Sequence, residues 1–176
     1  MVFVAFRTIL DDIGTSGLTY LTTSSRTISS VGNQNRSLQL GNGYVPVVAD
    51  FNGDGVDDVA VIGSEAFGIL VYYGYGDGTF YSALLLDAGQ MIGDLTVGDF
   101  DGDGRPDIAV ALAFSHEAEI FFNQGNGQFT RSIFASGADA TAVITADLNH
   151  RDKKDLVIQN FMFDVQPPNV NVVFHK

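Results

Sequence analysis

The sequence predicts an all-β fold built from a repeated unit of 48 or 49 residues, and three observations support this prediction. An acidic stretch of nine residues begins at positions 50, 99 and 147, so its copies are 49 and then 48 residues apart. Each copy is followed by a short apolar run rich in Val and Ile, which is typical of a β-strand. The runs after the first two copies lack the spacing of an amphipathic helix, and Gly-rich turns occur at similar intervals.

Four strands are predicted in the clearest unit, at 95–98, 108–113, 119–122 and 129–134. The acidic stretch joins the first strand to the second. The segment 125–127, Gly-Asn-Gly, joins the third strand to the fourth, because Asn-Gly is typical of tight hairpin turns. The second strand is apolar throughout, as expected where sheets pack against neighbouring sheets. Four short strands in each unit are what a blade of a β-propeller requires.

The repeat divides one domain, residues 1–176, into a partial diverged repeat, two full repeats and a final partial repeat, at 1–49, 50–98, 99–146 and 147–176. A strand is predicted at 18–22, and a variable outer strand within 24–42. The segment 171–174 matches third-strand segments. We therefore predict a partial β-propeller of about three and a half four-stranded blades. Closed propellers have at least about four blades, so we expect self-association or completion by further blades.

Composition limits the classes of partner. The net charge of −12 and the pI of about 4.2 argue against binding to nucleic acid or to anionic membrane surfaces. No apolar run is long enough for a transmembrane helix, so membrane insertion is not expected. There is no cysteine to form disulfides. Much of the negative charge is local, since eight of the 21 acidic residues lie in the first two acidic stretches, namely Asp50, Asp54, Asp57, Asp58, Asp99, Asp101, Asp103 and Asp107.

The first two acidic stretches predict calcium sites. Calcium binds six to eight oxygen ligands in a flexible geometry, and a divalent ion would offset the repulsion among the carboxylates. Site one would use the side chains of Asp50, Asn52, Asp54 and Asp58 and the carbonyl of Val56. Site two would use the side chains of Asp99, Asp101, Asp103 and Asp107 and the carbonyl of Arg105. Site two has one more carboxylate and is expected to bind calcium more tightly. Asp57 is expected to point into solvent.

Of the other interpretations of these stretches, one is excluded and two stay open. A helix-loop-helix calcium site needs a Glu at position 12, where this chain has Val61 and Val110, so that interpretation fails. Magnesium and a metal-free acidic turn remain alternatives. In the third stretch Arg151 replaces a ligand, and we expect its guanidinium to substitute for the metal among Asp147, Asn149 and Asp155.

The pattern D-F-N/D-G-D-G-x-x-D, followed later by G-x-G-N/D-G-x-F at 74–80 and in a related form at 124–129, resembles the FG-GAP/VCBS repeat. This repeat builds the β-propeller of integrin α-subunits and occurs in many secreted proteins. The resemblance covers about residues 17–176. It implies extracellular recognition or adhesion toward a protein or a glycan, with calcium in a structural role. The start of the chain, 1–7, lacks the features of a secretory signal peptide.

Two alternative functions are a calcium-dependent lectin and a non-catalytic accessory region of a secreted hydrolase or lyase. A lectin would need an exposed aromatic cluster, for which the best candidates are Tyr72, Tyr73, Tyr75 and Tyr81. No catalytic constellation or phosphate-binding loop is recognisable, so we do not expect an enzyme. Glu119 is expected in a solvated hairpin, and the loop residues Phe51 and Phe100 in the core.

Overall fold

A computed structural model of the protein describes residues 19–21, 27–30, 36–39, 46–63, 67–136, 139–150, 154–161 and 170–173. All regular secondary structure in these ranges is β-strand, which confirms the predicted all-β class. In this part of the chain there is no helix that could cross a lipid bilayer.

The strands form four antiparallel sheets, each a simple meander in chain order. Sheet I contains β1 (Thr19–Leu21), β2 (Thr27–Ser30) and β3 (Arg36–Gln39). Sheet II contains β4 (Val47–Ala49), β5 (Asp58–Ile62), β6 (Gly68–Gly74) and β7 (Phe80–Asp87). Sheet III contains β8 (Ile92–Gly98), β9 (Asp107–Leu112), β10 (Glu117–Gly125) and β11 (Gln128–Ala135). Sheet IV contains β12 (Asp139–Ala146), β13 (Asp155–Phe161) and β14 (Val170–Val173).

The four strands predicted for the clearest unit coincide with β8 to β11, and the acidic stretch joins β8 to β9 as expected. The Asn-Gly turn is also confirmed, because Asn126 and Gly127 both have positive φ, at 52° and 70°. The prediction of one outer strand within 24–42 was wrong, since this segment holds both β2 and β3. Its sequence contains Gly-Asn at 32–33, a turn-forming pair that favours two strands over one.

Sheets II, III and IV pack face to face through β9, whose residues are all buried. Alternate side chains of a strand point to opposite faces of the sheet. Accordingly, Ile108, Val110 and Leu112 join the apolar cluster shared with sheet II, whereas Ala109 and Ala111 join the cluster shared with sheet IV. Large side chains on one face and small ones on the other set how closely each neighbouring sheet can approach.

The two loop phenylalanines are buried, as predicted. Phe51 is fully buried in the cluster between sheets II and III, and Phe100 lies in the cluster between sheets III and IV. Strand β8 contacts β4 on sheet II and β12 on sheet IV, so the first strands of successive sheets are neighbours. The first two acidic loops therefore insert their second residues, Phe51 and Phe100, into interfaces between sheets, whereas Leu148, the second residue of the third loop, is exposed.

The expectation that Glu119 is solvated was wrong. Glu119 is fully buried on β10 and forms an ion pair with Arg131 on β11, with 2.8 Å between the Arg131 Nη2 and Glu119 Oε1 atoms. Arg131 also donates a hydrogen bond to the carbonyl oxygen of Asp87 at 3.2 Å, which links sheet III to the end of β7. Burial raises the pKa of Glu119, and the guanidinium of Arg131 opposes this shift.

We expect Arg131→Met to destabilise the protein by about 2 kcal/mol at pH 7.5, because a buried carboxylate would lose its partner. This value lies below the usual range for buried pairs, since Arg131 is partly exposed. The folded-state pKa of Glu119 is raised, and losing Arg131 would raise it further. The variant should therefore lose less stability at pH 4.5, where Glu119 is more protonated, and more as the pH rises. Urea unfolding at both pH values measures the difference.

The matched control for this pH dependence is the double variant Glu119→Gln/Arg131→Met, which has no ionisable group at either position. Relative to wild type at each pH, the pH-dependent loss should largely disappear in this variant. An equal loss of stability at pH 4.5 and 7.5 in Arg131→Met would show that the ion pair does not control the effect.

Candidate metal centre

The acidic loop of sheet III is wrapped around the carboxylate of Asp99. Its Oδ1 accepts hydrogen bonds from the backbone N–H groups of Gly102 at 2.6 Å and Asp103 at 3.2 Å, and its Oδ2 accepts one from Gly104 at 2.9 Å. Gly102 and Gly104 have φ values of 79° and 85°, a conformation that glycine adopts without steric cost. The two glycines therefore allow a turn tight enough to direct three donors at one carboxylate.

Asp107, at the start of β9, is the buried anchor of this loop. Its Oδ2 accepts a hydrogen bond from the backbone N–H of Phe100, and its Oδ1 accepts one from that of Asn123, both at 2.8 Å. Burial raises the pKa of Asp107 to about 6, even though these two donors favour the charged form. A bound divalent cation would favour the charged form further.

The side chains of Asp99, Asp101 and Asp107 come together as a group that could bind one metal ion. Each offers a carboxylate oxygen, and these oxygens all lie within 4.8 Å of one another. Calcium binds oxygen at roughly 2.3–2.6 Å, so two ligands on opposite sides of the ion are separated by about twice that distance. The spacing and the all-oxygen donor set therefore fit a calcium ion.

Asp103 and Arg105, also predicted as ligands, are engaged elsewhere. Asp103 Oδ1 accepts the backbone N–H of Arg105 at 2.9 Å, and its Oδ2 pairs with the Arg105 guanidinium. The guanidinium Nε of Arg105 in turn donates to the carbonyl oxygen of Asn123 at 2.7 Å. The structure thus brings three of the four predicted carboxylates together, and ligation by Asp103 and by the Arg105 carbonyl stays a prediction.

The loop of sheet II repeats the same backbone design. Asp50 accepts the backbone N–H groups of Gly53, Asp54 and Gly55 at 2.7, 3.1 and 2.8 Å. The buried Asp58 accepts those of Phe51 and Gly74, both at 2.9 Å, and burial raises its pKa. The two loops therefore share the same carboxylate acceptors at positions 1 and 9.

Asn52 distinguishes this loop from the loop of sheet III. Its Oδ1 accepts the backbone N–H of Asp54 at 2.9 Å, and its Nδ2 donates to Asp54 Oδ2 at 2.9 Å and to the hydroxyl of Tyr81 at 3.2 Å. Asp57 is exposed, as predicted. Ligation by the carbonyl of Val56 and by the rest of the predicted site-one set stays a prediction.

In the third loop, the described residues show the same arrangement at position 9. Asp155 is fully buried and accepts the backbone N–H of Leu148 at 2.9 Å and the Nδ2 of Asn149 at 3.0 Å. Arg151, which was expected to substitute for a metal, lies outside the described residues. The residue at position 9 is therefore a buried hydrogen-bond acceptor in all three loops, as Asp58, Asp107 and Asp155.

The sequence did not point to Asn123, the buried residue that connects the first two loops. Its Nδ2 donates to the carbonyl oxygen of Phe51 at 2.8 Å and to that of Pro106 at 3.1 Å, while its Oδ1 accepts the backbone N–H of Gly125 at 2.9 Å. Together with its backbone bond to Asp107, these contacts tie both acidic loops to one side chain. A cleft of about 220 Å³ lies between the loops.

A comparison with protein families finds a match over all three acidic loops. The FG-GAP-like repeat family matches residues 50–110 and 99–158. No curated protein matches the chain. Among solved structures, the V. cholerae biofilm matrix protein Bap1 is similar, with 21% sequence identity and a TM-score of 0.46. The match covers 99% of this chain and 37% of the Bap1 chain. Two overlapping matches that together span most of the chain show that it belongs to the FG-GAP-like repeat family.

Proposed function

We propose that the chain is a calcium-binding scaffold for extracellular recognition or adhesion, with a protein or a glycan as its ligand. The observation that carries this proposal is the group formed by Asp99, Asp101 and Asp107, whose oxygens lie within 4.8 Å of one another. Extracellular modules bind calcium at concentrations of about 0.1–1 mM, which are available outside cells. The FG-GAP-like repeats support the same location.

Calcium in these loops would have a structural role. Each loop joins the first strand of a sheet to the second, and its second residue, Phe51 or Phe100, is inserted into an interface between sheets. An ion that neutralises the carboxylates would hold the loop closed and fix the two strands relative to one another. A non-catalytic role is part of this proposal, and ligand binding would use other surfaces of the scaffold.

The proposal includes a propeller-like arrangement of the sheets. In chain order, the described residues form a three-stranded sheet, two four-stranded sheets and another three-stranded sheet, and apolar clusters join sheets II, III and IV. Further blades, or a second copy of the chain, would complete such a ring. Small-angle scattering with a light-scattering measurement of mass would distinguish a closed ring from an open stack.

Isothermal calorimetry of calcium binding tests the metal sites. We expect chelator-stripped protein to bind two calcium ions, and the double variant Asp101→Ala/Asp103→Ala to bind one, because the variant removes two predicted ligands of site two. The matched control is Asp57→Ala, which removes an exposed carboxylate next to site one without removing a predicted ligand. Absence of binding at millimolar calcium would contradict the proposal.

A second candidate function, a calcium-dependent lectin, is favoured by the contact of Tyr81 with Tyr73 and Tyr75 beside the first acidic loop. A glycan array with and without calcium separates this function from protein binding. The accessory-region alternative requires chemistry in other parts of a longer protein.

A further inference from the structure

Three tyrosines form a cluster of tilted rings where β6 turns into β7. Tyr73 and Tyr81 are paired across the two strands, with ring centroids 5.7 Å apart. Tyr75 lies two residues after Tyr73, and its ring centroid is 4.6 Å from that of Tyr81. Tyr75 is 63% exposed, whereas Tyr73 packs against the core cluster between sheets II and III. The cluster thus has a fixed base and an open outer ring.

Tyr72, the fourth tyrosine considered from the sequence, is adjacent to Tyr73 in β6 and therefore faces the other side of the sheet. The hydroxyl of Tyr73 lies close to Gly127 of the neighbouring hairpin, since a Cβ atom built at Gly127 would be 2.9 Å from this oxygen. The exposed ring of Tyr75 is thus connected through Tyr81 to a tyrosine that packs against the core.

The same hairpin in sheet III lacks this cluster, which provides an internal comparison. The backbone N–H of Gly74 donates to Asp58 as that of Asn123 donates to Asp107, so the two positions correspond. Counting from these positions, the residues in sheet III that correspond to Tyr73, Tyr75 and Tyr81 are Phe122, Gln124 and Thr130. The repeat fold therefore does not require aromatic rings at the two outer positions.

The cluster is joined to the cleft between the acidic loops. Asn52 lines this cleft, and its Nδ2 donates to the hydroxyl of Tyr81 at 3.2 Å. Asp50 and Arg105 also line the cleft and supply carboxylate and guanidinium groups, and Asn123, whose side chain is bonded to other residues, lines it as well. The corresponding residue of the other loop, Asp101, has no N–H in its side chain and could not make the bond that Asn52 makes.

We propose that the tyrosine cluster and the adjoining cleft form a binding site for a neutral saccharide. A sugar ring has an apolar C–H face, which can pack on an aromatic ring such as Tyr75, and hydroxyl groups, which can bond to the polar side chains of the cleft. The cleft is smaller than the roughly 300–1,000 Å³ pockets that enclose drug-sized ligands, which suits a single ring. The net charge of −12 disfavours acidic saccharides.

This inference rests on the proposed function, because the loop that positions Asn52, the hydrogen-bond partner of Tyr81, would be ordered by calcium. A protein partner fits the site less well. A stable protein interface covers about 800 Å² on each partner, whereas this cluster offers one largely exposed ring beside a small polar cleft.

Saturation-transfer NMR and calorimetry in the presence of calcium test the site, with cellohexaose, mannohexaose, chitohexaose and maltohexaose as neutral probes and trigalacturonic acid as the acidic comparison. We expect at least one neutral hexaose to bind and the acidic trisaccharide to bind more weakly or not at all. The chain has no tryptophan, so tyrosine emission should respond to binding. Tyr75→Ala should weaken binding about tenfold, whereas Tyr75→Phe should retain it.

Two further variants separate the site from the scaffold. Gln124→Ala changes the corresponding exposed position of sheet III and should leave saccharide binding unchanged. Tyr81→Phe removes the hydroxyl group that accepts the hydrogen bond from Asn52 and leaves every predicted calcium ligand unchanged, so it should weaken saccharide binding while calcium binding is retained. If none of the four neutral hexaoses binds, or if binding is the same in Tyr75→Ala, the inference is wrong. The heat of calcium binding, measured by calorimetry on the same samples, tests the proposed function independently of saccharide binding.

Discussion

Calcium added to chelator-stripped protein is expected to raise the midpoint of thermal unfolding by roughly 10–20 °C. A ligand that binds only the folded state stabilises it by about 2.7 kcal/mol at a concentration one hundred times its Kd, so two sites would contribute about 5 kcal/mol. For a chain of this size each kcal/mol corresponds to a shift of about 2–4 °C. The carboxylates gathered in each loop are the reason that the ion favours the folded state. Circular dichroism at a fixed excess of calcium measures the shift.

The Asp101→Ala/Asp103→Ala variant should show about half of this shift, because one of the two sites remains. Asp57→Ala serves as the control for lost negative charge and should show the full shift. Magnesium at the same concentration should have a smaller effect, since it prefers to keep several water ligands. An unchanged midpoint at millimolar calcium would leave the loops as acidic turns and would remove the support for an extracellular location that calcium provides.

Local sequence patterns were sufficient to predict most of the strands. The apolar run after each acidic stretch predicted β5, β9 and β13, because a central strand buried on both faces is continuously apolar. The prediction was wrong within 24–42, where polar side chains give no clear alternation and the turn-forming pair Gly-Asn at 32–33 is the only local sign of two strands. Periodicity identifies strands with a buried face more readily than strands with polar residues on both faces.

Part of the candidate site could be predicted from the sequence, because the acidic loop is a local feature of the chain. The spacing of Asp99, Asp101 and Asp107 is a local property of the loop, and the structure brings these three together. The burial of Glu119 depends on packing between sheets II and III and on Arg131 in another strand. Contacts of this kind arise only when distant segments meet, so an isolated Glu in a hairpin gives no sequence signal for them.

Asn123 is even harder to identify from local sequence, because one of its partners, Phe51, is 72 residues away in the chain. An Asn just before a Gly-rich turn is ordinarily explained by the turn itself. The informative signal was the difference between the repeats, since the corresponding residue in sheet II is Gly74, which has no side chain. Comparing equivalent positions between internal repeats can therefore reveal residues with a role outside the shared fold.

The Asn123→Ala variant is expected to lose about 3 kcal/mol of stability, because the carbonyl oxygens of Phe51 and Pro106 would each lose a donor in a buried setting. The neighbouring variant Gln124→Ala, at an exposed position of the same strand, is the matched control and should change stability by less than about 0.5 kcal/mol. Urea unfolding in excess calcium measures both variants while the loops are occupied.

The same variant tests whether the two acidic loops act together. The Asn123 side chain bonds to Phe51, whose N–H is bound by Asp58 of site one, and its backbone N–H bonds to Asp107 of site two. Because one residue contacts both loops, Asn123→Ala should weaken calcium binding at both sites, with the larger effect at site two, where Pro106 and Gly125 also lose their bonds. Calorimetry on the variant resolves the two sites, and a Kd for site one equal to that of the wild type would show that Asn123 does not couple the loops.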